Sequence, residues 1–116
     1  MENFTVKELM EMAEKAQTKT EGLPYVIVRT YSAGVYAGYL ANREGRDITL
    51  HNARNLRFWK GALDCNEMAM LGVSKPDECQ FSAPVDKIIL TEGIAVIYAT
   101  DAAQKSIKGV RIWSKR

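Results

Sequence analysis

Between residues 25 and 60 the sequence is a succession of short β-branched and aromatic runs separated by turn-forming breaks. Tyr25-Val-Ile-Val-Arg-Thr-Tyr31 has the composition of a strand, and Ser32-Ala33-Gly34 that of a turn or bulge. A second strand is predicted over 35–40 with Gly38 inside it. An interior glycine weakens a strand unless a sharp bend or a close backbone approach requires it. Residues 42–47 have the character of a hairpin loop, 47–51 of a third strand, 52–55 of a short turn and 56–59 of a fourth strand. Short strands with bent glycines favour a small closed barrel over an open sheet, because closure removes sticky edges.

The flanks of this meander are helical. Thr5 as N-cap, Glu8 three residues later and the Phe4/Leu9 pair form a capping box with a hydrophobic staple. Val6, Leu9, Met10, Ala13 and Ala16 then fall on one stripe, which predicts an amphipathic helix over 5–18. Residues 61–83 interrupt the β pattern as a helical insert, with Asp64 and Glu67 as a second capping box and Gly72 as a stop. Strand character returns within 86–98. Asp101 and Gln104 open a short helix at 102–107, and 110–113 is a last strand or an apolar tail. The expectation is one domain, 1–116, of β-rich α+β class: a small SH3-like or Sm-like β-barrel with an N-terminal helix and a short helical insert. A barrel of this size keeps strand edges, and pairing them between subunits implies a symmetric homo-oligomer.

A chain of 116 residues with 47% hydrophobic and 26% charged residues has enough apolar content for a core, which sets disorder aside. No apolar stretch is long enough for a transmembrane helix, and the acidic, already patterned N-terminus is unlike a signal peptide. Two cysteines, Cys65 and Cys79, are too few for a disulfide framework or a zinc site, so a reducing cytoplasm is expected and no membrane partner. The single histidine, His51, removes every scheme needing two. No nucleophile–base pair or metal cluster stands out, so neither an enzyme nor a cofactor or metal is expected.

The net charge of +2 conceals four blocks: −2 over 1–24, +4 over 25–60, −4 over 61–100 and +4 over 101–116. Five of the seven arginines fall in the second block: Arg29, Arg43, Arg46, Arg54 and Arg57. They are interleaved with Tyr25, Tyr31, Tyr36, Tyr39, Phe58 and Trp59. Arginine matches phosphate with a planar fork of donors, and aromatic faces stack on bases. Within the block, Arg29, Tyr31, Ser32, Ala33 and Gly34 are the most distinctive run, with Ser32 to Gly34 able to form a nest for an anion. Arg54 and Trp59 join the same site if the 52–55 turn folds back. The competing structural interpretation is a solvated basic sheet face over an aromatic core. Trp113 beside the basic end is an anchor for a neighbouring subunit or an anion site.

Two resemblances bear on function. Gly34-Val-Tyr-Ala-Gly38-Tyr-Leu40, a turn, and Ile48-Thr-Leu50-His-Asn-Ala53 resemble the strand 2–3 region of Sm-like and Hfq-like proteins. Arg29-Thr-Tyr-Ser-Ala-Gly-Val35, Asn52-Ala-Arg54 with Trp59-Lys-Gly-Ala62, and Gly72-Val-Ser-Lys-Pro76 followed by Val85-Asp-Lys-Ile-Ile-Leu-Thr-Glu92 are similar to a family of small phage- and prophage-encoded proteins. The second resemblance implies a bacterial host cytoplasm. By analogy of class it suggests a homo-oligomeric sponge for a phosphate-bearing small molecule, such as a nucleotide signal of anti-phage defence. The alternatives are an Sm-like RNA or single-stranded DNA binder, and a protein–protein inhibitor or structural phage protein.

Overall fold

A computed structural model describes residues 20–115, so the helix predicted over 5–18 lies outside the described residues. In chain order the elements are β1 (Tyr25–Thr30), β2 (Val35–Glu44), β3 (Asp47–Phe58), α1 (Cys65–Leu71), a 3-10 turn (Pro76–Glu78), β4 (Gln80–Phe81), β5 (Val85–Leu90), β6 (Gly93–Tyr98) and α2 (Asp101–Gly109). The strands pair antiparallel along the path β4-β3-β2-β1-β6, with β5 also on β3. The result is β-rich α+β, as expected from the alternation. β3 is long enough to carry two partners on one edge: β5 lies along Ile48–Ala53 and β4 along Leu56–Phe58.

β1 explains much of the core. Tyr25, Val26, Ile27 and Val28 are all buried, so both faces of the strand are covered. Side chains alternate along a strand, and here each set has its own cluster. Tyr25 and Ile27 pack with Tyr39, Leu56, Met68, Phe81 and Ile107 on the side of the helices. Val26 and Val28 pack with Ile48, Leu50, Ala53 and Leu90 on the other side. Each such side chain taken fully out of water contributes roughly 1.5–3 kcal/mol. The second face stays dry because the sheet curls. β5 and β6 are joined only by Thr91 and Glu92, yet they pair with opposite regions of the sheet. The Gly93 N–H donates to the Arg46 carbonyl at 3.0 Å, drawing the start of β6 to the β2–β3 turn.

Several boundaries differ from the sequence expectation. The turn predicted at 52–55 and the separate fourth strand merge into one 12-residue β3. Its irregularity is a bulge: Ala37 pairs with Arg54 and Tyr39 with His51, leaving Asn52 as the extra residue at φ +52°. Asparagine tolerates this left-handed conformation, so the polar run that looks like a turn is absorbed within the ladder. Gly38 sits opposite, where an added Cβ would lie 3.0 Å from the Ala53 Cα and 3.1 Å from the His51 carbonyl oxygen. The close backbone approach is therefore the reason for the interior glycine. The predicted 42–47 loop is mostly strand, because a two-residue turn at Gly45-Arg46 lets β2 run to Glu44. The insert 61–83 contains α1, the 3-10 turn and β4, with Asp64 Oδ1 accepting from the Glu67 N–H at 2.9 Å as its capping box implies. α2 is longer than 102–107 because Thr100, rather than Asp101, caps it through the Ala103 N–H. Beyond it, Ile112 forms one parallel bridge to Phe81 instead of a full strand.

Candidate functional site

The β1–β2 turn contains Tyr31, Ser32, Ala33 and Gly34, all exposed. Its geometry follows from Thr30, whose N–H and hydroxyl both donate to the Gly34 carbonyl, at 3.1 and 2.7 Å. The Thr30 hydroxyl in turn accepts from the Ala33 N–H at 2.9 Å. Gly34 takes φ +97°, a conformation side chains disfavour. The turn is tied to the β5–β6 connection: the Ser32 hydroxyl donates to Glu92 Oε1 at 2.7 Å and the Tyr31 N–H to the Glu92 carbonyl at 3.1 Å. This turn is where the sequence places an anion nest, and several of its donors are used within the protein. The Tyr31 and Ala33 N–H groups and the Ser32 hydroxyl are already engaged, and the adjacent group is a carboxylate, which repels an anion.

Arg54 is also placed differently from the expectation that it closes a ligand site. It points into the protein at 3% exposure. Its guanidinium donates to the carbonyls of Ser82 and Ile107, both at 2.8 Å, with Phe81 O at 3.4 Å and the Phe81 ring centroid at 5.5 Å. It joins β3, the end of β4 and the last turn of α2, whose carbonyls lack helical partners. Burial holds its pKa below the ordinary arginine value, with the nearby Tyr25 acting in the opposite direction. Arg54 is thus a structural tie between elements. It belongs neither to the turn at 31–34 nor to the cleft around Arg29.

Arg29 and Trp59 do come together. At the end of β1, where β2 begins and the β3–α1 connection passes, a cleft of about 350 Å³ is lined by Arg29, Val35, Trp59, Leu63, Asp64 and Asn66, with Cys65 at its floor. Arg29 is exposed and enters no salt bridge among the described residues. Trp59 is half-buried and packs against the helix-side core, which fixes its ring. Asp64 has one carboxylate oxygen committed to the α1 cap. Burial pushes the Cys65 thiol pKa up, the positive charge of Arg29 partly offsets this, and Asp64 adds to it. Val35, Leu63 and Asn66 are cleft residues that carry no chemical signal in the sequence. The capping box at Asp64 does locate the start of α1 that brings them in.

His51 and Cys65 do not pair: the His51 ring nitrogen lies 3.4 Å from the Asp86 carbonyl oxygen, whereas Cys65 lies in the helix-side core. Among the described residues no group of three or more His, Cys, Asp or Glu is placed to hold a metal ion, and no helix is long and apolar enough to cross a membrane.

No curated protein and no solved structure matches the chain. A family model described as a domain of unknown function, DUF6948, matches residues 23–107, a span that takes in all six strands and the Arg29–Trp59 cleft. On that match, which covers most of its length, the chain belongs to the DUF6948 family.

Proposed function

We propose that this chain is a homo-oligomeric binding protein, and not a catalyst, that takes a small phosphate-bearing ligand in the Arg29–Trp59 cleft. One observation carries the proposal: the Arg29 guanidinium, without an ion pair among the described residues, shares a cleft with a fixed indole and with Asn66. An arginine fork suits a phosphate, an indole face suits a planar ring, and an amide with the second Asp64 oxygen suits ring amino groups. The volume lies in the small-ligand range of roughly 300–1,000 Å³.

The curled sheet, with consecutive strands β5 and β6 serving opposite regions, supports a small SH3-like or Sm-like barrel. Among the described residues β5 pairs only with β3, and β6 only with β1, which leaves each an edge for a second copy. Following the likeness to phage-encoded proteins, the ligand is a nucleotide signal of bacterial defence, sequestered in the host cytoplasm.

Titration calorimetry against linear and cyclic nucleotides tests this reading. Binding is expected, weakened at least about tenfold (~1.4 kcal/mol) in Arg29→Ala. An absence of heat with every phosphorylated ligand sinks it. Preferential, steeply salt-dependent binding of oligonucleotides would transfer the site to single-stranded nucleic acid.

A further inference from the structure

A second cleft lies at the far end of β3 from the Asp47 turn and shares no residue with the first. It measures about 300 Å³ and is lined by Asn55, Arg57, Gln80, Ser82, Trp113 and Lys115, among others. Its walls come from three parts of the chain. Asn55 and Arg57 alternate onto one face of β3, Gln80 opens the short β4 and Ser82 follows it, and Trp113 and Lys115 belong to the tail after α2. The tail is anchored there: the Trp113 N–H donates to the Phe81 carbonyl at 2.9 Å, next to the Phe81–Ile112 bridge. Ser82 braces the wall by accepting the Asn55 N–H at 2.8 Å and donating to the Ala83 carbonyl at 3.0 Å.

The chemistry of the lining is one-sided. Arg57 and Lys115 are both exposed, and neither enters a salt bridge among the described residues. Among the described residues no carboxylate lines the cleft. The Arg57 guanidinium lies 4.8 Å from the Trp113 ring centroid, so the cation and the indole hold each other in place. Asn55 and Gln80 are half-buried amides that offer both donors and acceptors at the wall. Two cations without a counter-charge among the described residues, beside an ordered indole and two amides, form a receptor for an anion attached to a planar polar ring.

We propose that this cleft is a second ligand site, which takes a nucleoside monophosphate unit. Arg57 and Lys115 hold the phosphate, Trp113 packs against the base, and Asn55 and Gln80 meet the polar edge of the ring. The cleft is large enough for one ring with its phosphate. The unit is either a free mononucleotide or the terminal nucleotide of a single strand, since both present the same chemistry.

The two tryptophans separate this site from the first, because each cleft holds one of them. Their indole N–H resonances, assigned with Trp59→Phe and Trp113→Phe, report each cleft independently in the full chain. Titration with AMP is expected to move the Trp113 resonance saturably. In the Arg57→Gln/Lys115→Gln double variant the midpoint should rise at least tenfold while the spectrum stays that of the folded protein. Inorganic phosphate should bind at least tenfold more weakly than AMP. A 5′-phosphorylated trinucleotide that saturates at lower concentration than AMP assigns the site to strand ends, and the reverse order assigns it to free nucleotide. The proposal is overturned if the Trp113 resonance stays still, if the double variant binds as well as the wild type, or if phosphate alone binds as well as AMP. Movement of the Trp59 resonance alone would support the Arg29 cleft and remove this one.

Discussion

Arg54 and Tyr25 show how much a single side chain's meaning depends on burial. From sequence, Arg54 is one of five arginines among aromatics, and nothing distinguishes it from Arg29 or Arg57. In the fold it spends its donors on backbone carbonyls, while the other two face clefts. Local patterns cannot separate these fates, because the partners of Arg54 lie 28 and 53 positions away, at Ser82 and Ile107. Arg54→Met should therefore destabilise the protein by about 3 kcal/mol in urea unfolding, because the Ser82 carbonyl loses its donor and the Ile107 and Phe81 carbonyls keep only the Val110 and Trp113 N–H groups. A loss below about 1 kcal/mol would mean that water replaces the guanidinium. Burial also raises the pKa of Tyr25 and of Cys65, with Arg54 opposing the shift at Tyr25 and Tyr39 adding to it. Both groups stay protonated in the fold when the unfolded chain begins to ionise, at about pH 8.5 for a thiol and about 10 for a phenol. Above that range the unfolded state binds fewer protons, so stability is full below about pH 8.5 and falls as pH rises. Denaturation midpoints from pH 7 to 10.5 measure the slope, and Cys65→Ala should remove its lower part. The Tyr25 hydroxyl has no hydrogen-bond partner among the described residues, so Tyr25→Phe should remove the upper part without loss of stability at pH 7.

At the scale of elements, β1, β2 and both described helices are readable from alternation, glycine placement and caps. The break predicted inside β3 is the instructive failure. Asn52-Ala-Arg-Asn55 has turn-forming residues, yet a strand can keep them by bulging, and only the partner strand reveals which has happened. That partner supplies Gly38, and the two features depend on each other. Gly38→Ala would force β2 away from Ala53 and is expected to cost about 1–3 kcal/mol, the usual penalty for overfilling a packed site. Chemical denaturation measures it, and a neutral effect would show that the ladder can relax. The candidate site was half visible in the same way. Arg29 and Trp59 stand out in the sequence, whereas Val35, Leu63 and Asn66 gain their role only when the β3–α1 connection passes the end of β1.

Among the described residues three strands pair with one other strand each, and two of them show apolar side chains to solvent: Val85 and Ile89 on β5, Ile94 and Tyr98 on β6. Monomeric proteins usually blunt such edges with charge. Light scattering is expected to show a homo-oligomer, and Ile94→Lys with Tyr98→Lys should reduce it to folded monomer with an unchanged circular dichroism spectrum. A monomeric wild type would remove the oligomer reading while leaving both clefts to be tested by ligand. The antiparallel pairing of β1 with β6 reaches further. Val26 lies opposite Tyr98, so the first described strand finds one of its neighbours only in the last. Closing so long a loop carries a large entropic cost before any contact rewards it, and such topologies fold slowly. During synthesis, β1 to β3 leave the ribosome with Val26 and Val28 still lacking the β5 and β6 side chains that cover them. The sheet must therefore wait for β6 to be made before it folds in one cooperative event, and fragments ending before Gly93 should emerge as sticky, protease-sensitive intermediates.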